Sequence, residues 1–311
     1  MRIIFMGTPD FAVPILDRIL SRHEVVLVVT QPDSYSKRKR KYLPSPVKEY
    51  ALEKGLRLFQ PDSIRKEKDP ILEIPCDLIV TAAYGQFVPK VLLVHPRLQA
   101  INVHGSLLPK YRGGAPIQRA LIEGETKTGI SIIYMTPKMD AGDILMQREI
   151  PIEDGDDADS LFKKLSLLGA EMILEAIDGL EAGTIVPVRQ DENEVTFAYN
   201  LTKEDEILDF RKTAREIRNR IRGLSSNPGA HFFLDGVQVK VYAGRVASYM
   251  AEAEPGRIVK VGKDFFGISC GGNTVIEITE IQIPSKKRMS VRDFLNGSGR
   301  EMILIGKEID Q

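Results

Sequence analysis

Residues Glu24 to Thr30 read EVVLVVT, an apolar run without the in-and-out alternation of a strand that keeps one face wet. Such a strand is stable only where helices cover both faces of its sheet, which selects a mostly parallel α/β architecture. The preceding residues agree with this. Arg2 to Phe5 reads as a first strand, Gly7-Thr8-Pro9-Asp10 as a turn, and Phe11 to Leu20 as a helix with Ile15, Leu16 and Ile19 inward. This strand–helix–strand opening has the form of a dinucleotide site, yet Gly7 stands alone where a G-x-G-x-x-G turn needs three glycines, which argues against a nicotinamide cofactor.

The same grammar continues. Ser45 caps a helix with Pro46 at its first position and Gly55 just past its end, and Asp77 to Ala83 reads as a further strand entering the connection Ala83 to Pro89. Asp143 to Ile152 is read as another strand. Leu161, Leu165, Leu168, Met172, Ile173, Ile177 and Leu180 then recur at the three-and-four spacing of a packed helix. The pattern turns irregular from Thr184 to Asn200, and Thr213-Ala-Arg-Glu216 is a capping box opening a new helix. Beyond it, short β-rich runs at Phe232–Leu234, Val237–Arg245, Gly256–Val261, Phe265–Cys270 and Thr274–Ile283 have the spacing of a small barrel. A chain of 311 residues can bury two cores, and the expected division is 1–189, a linker at 190–206, and 207–311.

Carbonyl chemistry is suggested by the stretch from Ala100 to Leu145. Asn102 and His104 sit at alternate positions of an extended run, so both point to one face. An amide there can donate to an oxygen that gains charge, and an imidazole can take or give a proton near neutral pH. A second run, Gly129 to Thr136, reads as a buried strand delivering Asp140 into a loop. If both strands ran parallel, all three side chains would gather beyond the carboxyl ends of the sheet, where such folds bind ligands. Ser106 has no G-x-S-x-G elbow around it and is not read as a nucleophile. No paired-histidine spacing supports a metal at His104, Asp140 and Asp143. Cys76 and Cys270 are read as reduced core thiols.

The segment NVHGSLLPKYRGGAPIQRA, followed by MDAGD, resembles the folate-dependent formyltransferases in its Asn-x-His, its SLLP and its later Asp-x-Gly, here Asn102, His104, Ser106 to Pro109 and Asp140. The opening MGTPDFAVP and PSPVK at Pro44 to Lys48 resemble the tRNA-acting branch in particular. This resemblance implies a Rossmann-like formyltransferase domain and a C-terminal OB-like barrel. It also implies transfer of a formyl group from 10-formyltetrahydrofolate to the α-amine of methionine carried on initiator tRNA, without a metal. Asn102, His104 and Asp140 would be catalytic. Ser106, Leu107, Leu108 and Pro109, with Gln86, Phe87 and Val88, would contact the folate. By counting back from Pro44, Arg38 matches the key basic residue of a loop that engages the tRNA acceptor end, with Lys39, Arg40 and Lys41 beside it.

Charge fits that implication. Residues 207–311 hold 17 Lys plus Arg against 12 Asp plus Glu, so a formal net charge of zero hides a basic C-terminal part and an acidic remainder. The unbroken Lys37-Arg38-Lys39-Arg40-Lys41 reads either as a solvated surface loop or as a phosphate-binding finger with Tyr42 to stack on a base. Arg211, Lys212, Arg215, Arg218, Arg220, Arg222 and Lys286-Lys287-Arg288 read as a clamp or as ordinary surface charge. No leader peptide and no run approaching about 20 apolar residues is present, so a cytoplasmic monomer without membrane contact is expected. Two rivals stand beside this reading: a folate-dependent formyltransferase acting on a small amine, and an RNA-binding protein built on a retired enzyme domain.

Overall fold

The computed structural model describes residues 1–36, 39–297 and 299–310. The chain divides into two compact units. The first comprises Met1–Pro116, Lys127–Pro151 and Phe162–Tyr199; the second comprises Ile117–Thr126, Ile152–Leu161 and Asn200–Gln311.

Strands of the first unit are β1 (Arg2–Gly7), β2 (Glu24–Val29), β3 (Ser34–Ser36), β4 (Lys41–Leu43), β5 (Leu58–Phe59), β6 (Leu78–Ala82), β7 (Ala100–His104), β8 (Lys127–Tyr134) and β9 (Ile144–Pro151). One sheet has the order β5-β2-β1-β6-β7-β8-β9. Its members from β5 to β7 run parallel, whereas β8 is antiparallel to β7 and β9 to β8. The apolar runs occupy the centre, with Ile3, Ile4, Val28, Val29, Ile79 and Ile101 wholly buried, as strands covered on both faces require. On the helix Val13–Leu20, Ile15, Leu16 and Ile19 are buried as its spacing predicts. The helix Pro46–Glu53 starts on the Ser45 hydroxyl, which accepts from the Lys48 amide. In the long helix Ala158–Ala182, Gly169 faces Val103 of β7 and Ile15, and a methyl group at Gly169 would press on both.

The reading of Gly129 to Thr136 as a strand running with its neighbours is corrected here. β8 and β9 form a hairpin, and only an antiparallel return closes so short a connection. Of the basic run, Lys41 belongs to β4, which pairs antiparallel with β3, Lys39 and Arg40 lie in the turn before it, and Tyr35 packs against Tyr42.

The second unit holds β10 (Ala230–Leu234), β11 (Val237–Val246), β12 (Ile258–Val261), β13 (Phe266–Ser269), β14 (Val275–Gln282) and β15 (Met289–Ser290). They form an antiparallel sheet in the order β10-β11-β14-β13-β12, with β15 on β14. Its core includes Phe232, Val241, Ile258, Phe266 and Ile276, with Ile217 and Ile221 of the helix Ala214–Leu224. That helix opens with the expected capping box between Thr213 and Glu216. Among the described residues the ladder does not close into a barrel; instead a C-terminal segment meets both edges. The Ile258 amide of β12 donates to the Lys307 carbonyl at 2.8 Å, and the Asp310 amide donates to the Phe233 carbonyl of β10 at 3.0 Å. The sequence reading contained neither that segment nor β15.

Among the described residues no helix is long and apolar enough to cross a membrane. Burial pushes the Cys76 thiol up to about 11 and the Cys270 thiol up to about 12, so neither supplies a thiolate at neutral pH.

Candidate active site

β7 turns the sequence spacing into a shared face. Thr81 of β6 lies in register with Asn102, and its hydroxyl donates to Asn102 Oδ1 at 2.7 Å. With the carbonyl end of the amide held, Nδ2 is directed outward and donates to Asp140 Oδ1 at 3.5 Å. His104, at the end of β7, is 6% exposed. Its Nε2–H donates to the Tyr111 carbonyl at 2.9 Å, and Nδ1 faces Asp140 Oδ2 across 3.7 Å. A carbonyl can only accept, so this contact fixes the proton on Nε2 and leaves Nδ1 for chemistry.

Asp140 arrives by a route different from the expected one. Because β8 is antiparallel, Tyr134 ends beside Ile101, at the start of β7, and the loop between β8 and β9 folds back to carry Asp140 to Asn102 and His104. The loop is tight, for a side chain at Gly142 would run into the Tyr134 carbonyl. Asp140 itself has φ +47°, a left-handed conformation that costs a non-glycine residue about 1–2 kcal/mol. Several contacts hold it there. The Gly113 amide donates to Oδ2 at 2.9 Å, and Gln190 Nε2 donates to the carbonyls of Asp140 and Gly142 at 2.8 and 2.7 Å. Gln190 Oε1 in turn accepts from Nε and Nη2 of Arg112 at 3.0 and 2.8 Å. Arg112 is buried and also donates to Glu192, whose carboxyl it holds below the usual range.

Asn102, His104 and Asp140 therefore meet. The other expected contacts are placed differently from one another. The Ser106 hydroxyl donates to the Lys110 carbonyl, and Leu108, buried and followed by a cis bond to Pro109, lies between Ser131 and Gln147 through its amide and carbonyl. Leu107 packs against Gly129 of β8. The Gln86 side chain braces the neighbouring loop, accepting from the Ile64 amide at 2.8 Å and donating to Gln31 Oε1 at 3.2 Å. Val88 belongs to the core, whereas Phe87 is 76% exposed. Lys39, Arg40 and Lys41 are exposed, and Arg38 lies outside the described residues.

In the second unit many expected clamp residues are engaged within the protein. Arg211 pairs with Asp209, Arg218 with Asp154 and Arg288 with Glu280, while Arg220 donates to the Asp205 carbonyl and Arg222 to Asn219. Carboxylates match the charge of Arg211, Arg218, Arg220 and Arg288, whereas Arg222 bonds neutral groups.

Sequence reasoning missed Thr81, Tyr111, Arg112, Gly113 and Gln190. Arg112-Gly113-Gly114 was visible as a glycine-rich loop, but nothing marks Gln190, which sits in an irregular stretch between Arg189 and Asp191. Backbone bonds tie that stretch to the loop: the Arg112 amide donates to the Thr196 carbonyl at 2.9 Å, and the Ala198 amide to the Arg112 carbonyl at 2.8 Å.

The arrangement presents an amide donor, a histidine of fixed tautomer and a carboxylate at one point, a set suited to acyl transfer without a covalent intermediate. The formyl transferase family model matches residues 1–177, and the model of the formyl transferase C-terminal domain matches residues 200–299. A methionyl-tRNA formyltransferase of Bacillus mycoides is 48% identical over 305 residues, which is 97% of each chain. One from Staphylococcus aureus is 43% identical over 310 residues, 99% of each. Among solved structures, an N-formyltransferase from Helicobacter canadensis in complex with folinic acid and dTDP-3-aminofucose shares the fold, with TM-score 0.69 and 18% identity over 89% of this chain and 98% of that one. HypX from Aquifex aeolicus in complex with tetrahydrofolic acid shares it at TM-score 0.63 and 17% identity, over 96% of this chain and 48% of that one.

Proposed function

This chain belongs to the formyl transferase family, and from that membership and the geometry around His104 we infer its reaction. The chain transfers the formyl group of 10-formyltetrahydrofolate to the α-amine of methionyl-tRNA, giving the N-formylmethionyl-tRNA that begins translation. The observation that carries this reading is that likeness to methionyl-tRNA formyltransferases runs through both units of the chain.

The catalytic roles follow from which atoms are already engaged. The neutral amine attacks the formyl carbon, a C–N bond forms, and the carbonyl oxygen becomes an oxyanion. Asn102, whose Oδ1 is held by Thr81, has a second Nδ2 proton to donate to that oxygen. His104 Nδ1 takes the proton leaving the amine, because Nε2 is committed to the Tyr111 carbonyl. The 3.7 Å gap from Nδ1 to Asp140 exceeds a hydrogen bond, so Nδ1 is not committed to the carboxylate. Asp140 Oδ2 faces the ring nitrogen that takes this proton. The proton then passes to N10 of the departing folate as the old C–N bond breaks. Each proton is accounted for.

Phe87 offers an exposed aromatic face to the pterin, and the backbone of Ala83 to Pro89 offers donors and acceptors to its edge. Leu107, Leu108, Pro109 and Ser106 form the neighbouring wall, while Gln86 and Val88 hold the loop. We assign 1–189 to catalysis and 207–311 to an OB-like barrel that binds tRNA; the expected linker 190–206 begins with residues bonded into the first unit, Gln190 among them. The C-terminal segment touching both edge strands supports that barrel. Lys39, Arg40 and Lys41, with Arg38, are assigned to the acceptor-end phosphates, and the working unit to a cytoplasmic monomer.

The test is transfer of labelled formyl to methionylated initiator tRNA, beside methionylated elongator tRNA, uncharged tRNA and small amines. Transfer to the first alone is expected. Transfer only to a small amine would replace the acceptor while keeping the chemistry, and no transfer would leave RNA binding without catalysis.

A further inference from the structure

We propose that Gln190 is a positioning residue for the transfer reaction, acting through Asp140; the proposal rests on the catalytic reading of Asp140 above. A glutamine carboxamide offers two N–H donors and an acceptor in one plane, and here all of them are used. Oε1 accepts two bonds from the buried Arg112, and Nε2 donates to the carbonyls of Asp140 and Gly142, which lie two residues apart. Gln190 is only 4% exposed. The guanidinium polarises the carboxamide, which strengthens the two donated bonds.

Those bonds fall on the main chain of the residue that most needs them. Asp140 occupies a left-handed conformation without being glycine, and its carboxylate is aimed by that conformation. The Gly113 amide fixes one carboxylate oxygen, and on the far side of the residue Gln190 adds two side-chain bonds to backbone bonds that are few: Ala141 to Lys138 at 3.5 Å and Tyr134 to Asp143 at 3.0 Å. Releasing them frees the loop to rotate the carboxylate away from His104 Nδ1. The two side chains nearest in shape lack this pattern: glutamate has no proton to donate to a carbonyl at neutral pH, and methionine fills the volume without donating or accepting strongly.

The experiment is a double-mutant cycle on turnover with the full-length enzyme and methionyl-tRNA, using Gln190→Met, Asp140→Asn and the pair. Gln190→Met is expected to lower kcat about 10- to 100-fold, with KM for both substrates within about twofold, the range typical of residues that orient a functional group from behind. Combined with Asp140→Asn, it is expected to add nothing further, because its effect passes through the carboxylate already removed. Normal kcat in Gln190→Met, or losses that multiply in the pair, would overturn the proposal. Circular dichroism melting reports folding. If the methionine variant does not fold, Gln190→Asn, which keeps the amide one methylene short, runs the same cycle with a smaller loss. If the wild type formylates a different amine, the acceptor reading fails, and the cycle is run on that amine with the same two criteria.

Discussion

The two units each bury a histidine against a carboxylate, and the pair differ in everything else. His104 and His231 are both 6% exposed, and their Nδ1 atoms lie 3.7 Å from Asp140 and 4.0 Å from Glu206. Around His104 the backbone fixes one ring nitrogen, an amide donor stands on the same face, and a strained loop presents the acid. His231, on β10, packs edge-on against Phe233, and its Nδ1 has no hydrogen-bond partner. Proximity of a histidine and an acid is therefore a poor marker of chemistry. Convergence of donors held from behind is a better one.

The largest test of that contrast exchanges both histidines. His104→Gln should lower turnover about 10²- to 10⁴-fold, the usual worth of a general acid–base group, while His231→Gln should leave it within about twofold. Steady-state formyl transfer at saturating substrates measures both, and equal losses would dissolve the distinction. Asn102→Ala comes next, at about 10²- to 10³-fold in kcat, by the measure of other oxyanion donors. Near-normal turnover there would reduce the amide to a bystander and leave the two histidine sites more alike.

A third change separates chemistry from capture. Replacing Lys39, Arg40 and Lys41 by Ala should leave kcat with methionyl-tRNA near normal but raise KM. It should also flatten the dependence of log KM on log salt by about two to three, since each of the three lost phosphate contacts removes about 0.7 to 0.9 from the slope. An unchanged slope would assign those exposed cations to the surface.

The fold and the His104 side of this contrast were legible in the sequence, for reasons that can be named, whereas nothing there marked His231 or Glu206. The buried strand Glu24–Val29 and the helix carrying Ile15, Leu16 and Ile19 declare themselves by local periodicity, and so does the Thr213–Glu216 capping box. Asn102 and His104 share a face by strand geometry alone. The direction of β8 was not legible, because an apolar run reads the same whether its partner is parallel or antiparallel. Gln190 and the C-terminal segment were also hidden. Their roles depend on bonds to residues distant in the chain, to Asp140 for one and to Phe233 and Ile258 for the other, and no local pattern encodes such partners.

The smallest effect is on stability, and it follows from what His231 lacks. Burial holds its pKa below the ordinary 6.5; Glu206 opposes that lowering, and Lys240, paired with it across β10 and β11, adds to it. The folded state therefore keeps the ring neutral at a pH where the unfolded chain protonates it. Above about 6.5 neither state binds the proton and nothing is lost. As pH falls from there through the lower folded-state value, the unfolded chain binds more protons and stability declines. His231→Gln removes this contribution, so urea unfolding followed from pH 8 to pH 5 should show a shallower acid decline in the variant than in the wild type. Parallel curves would mean that His231 titrates alike in both states and that Glu206 offsets its burial, which would break the contrast from the side of the second unit.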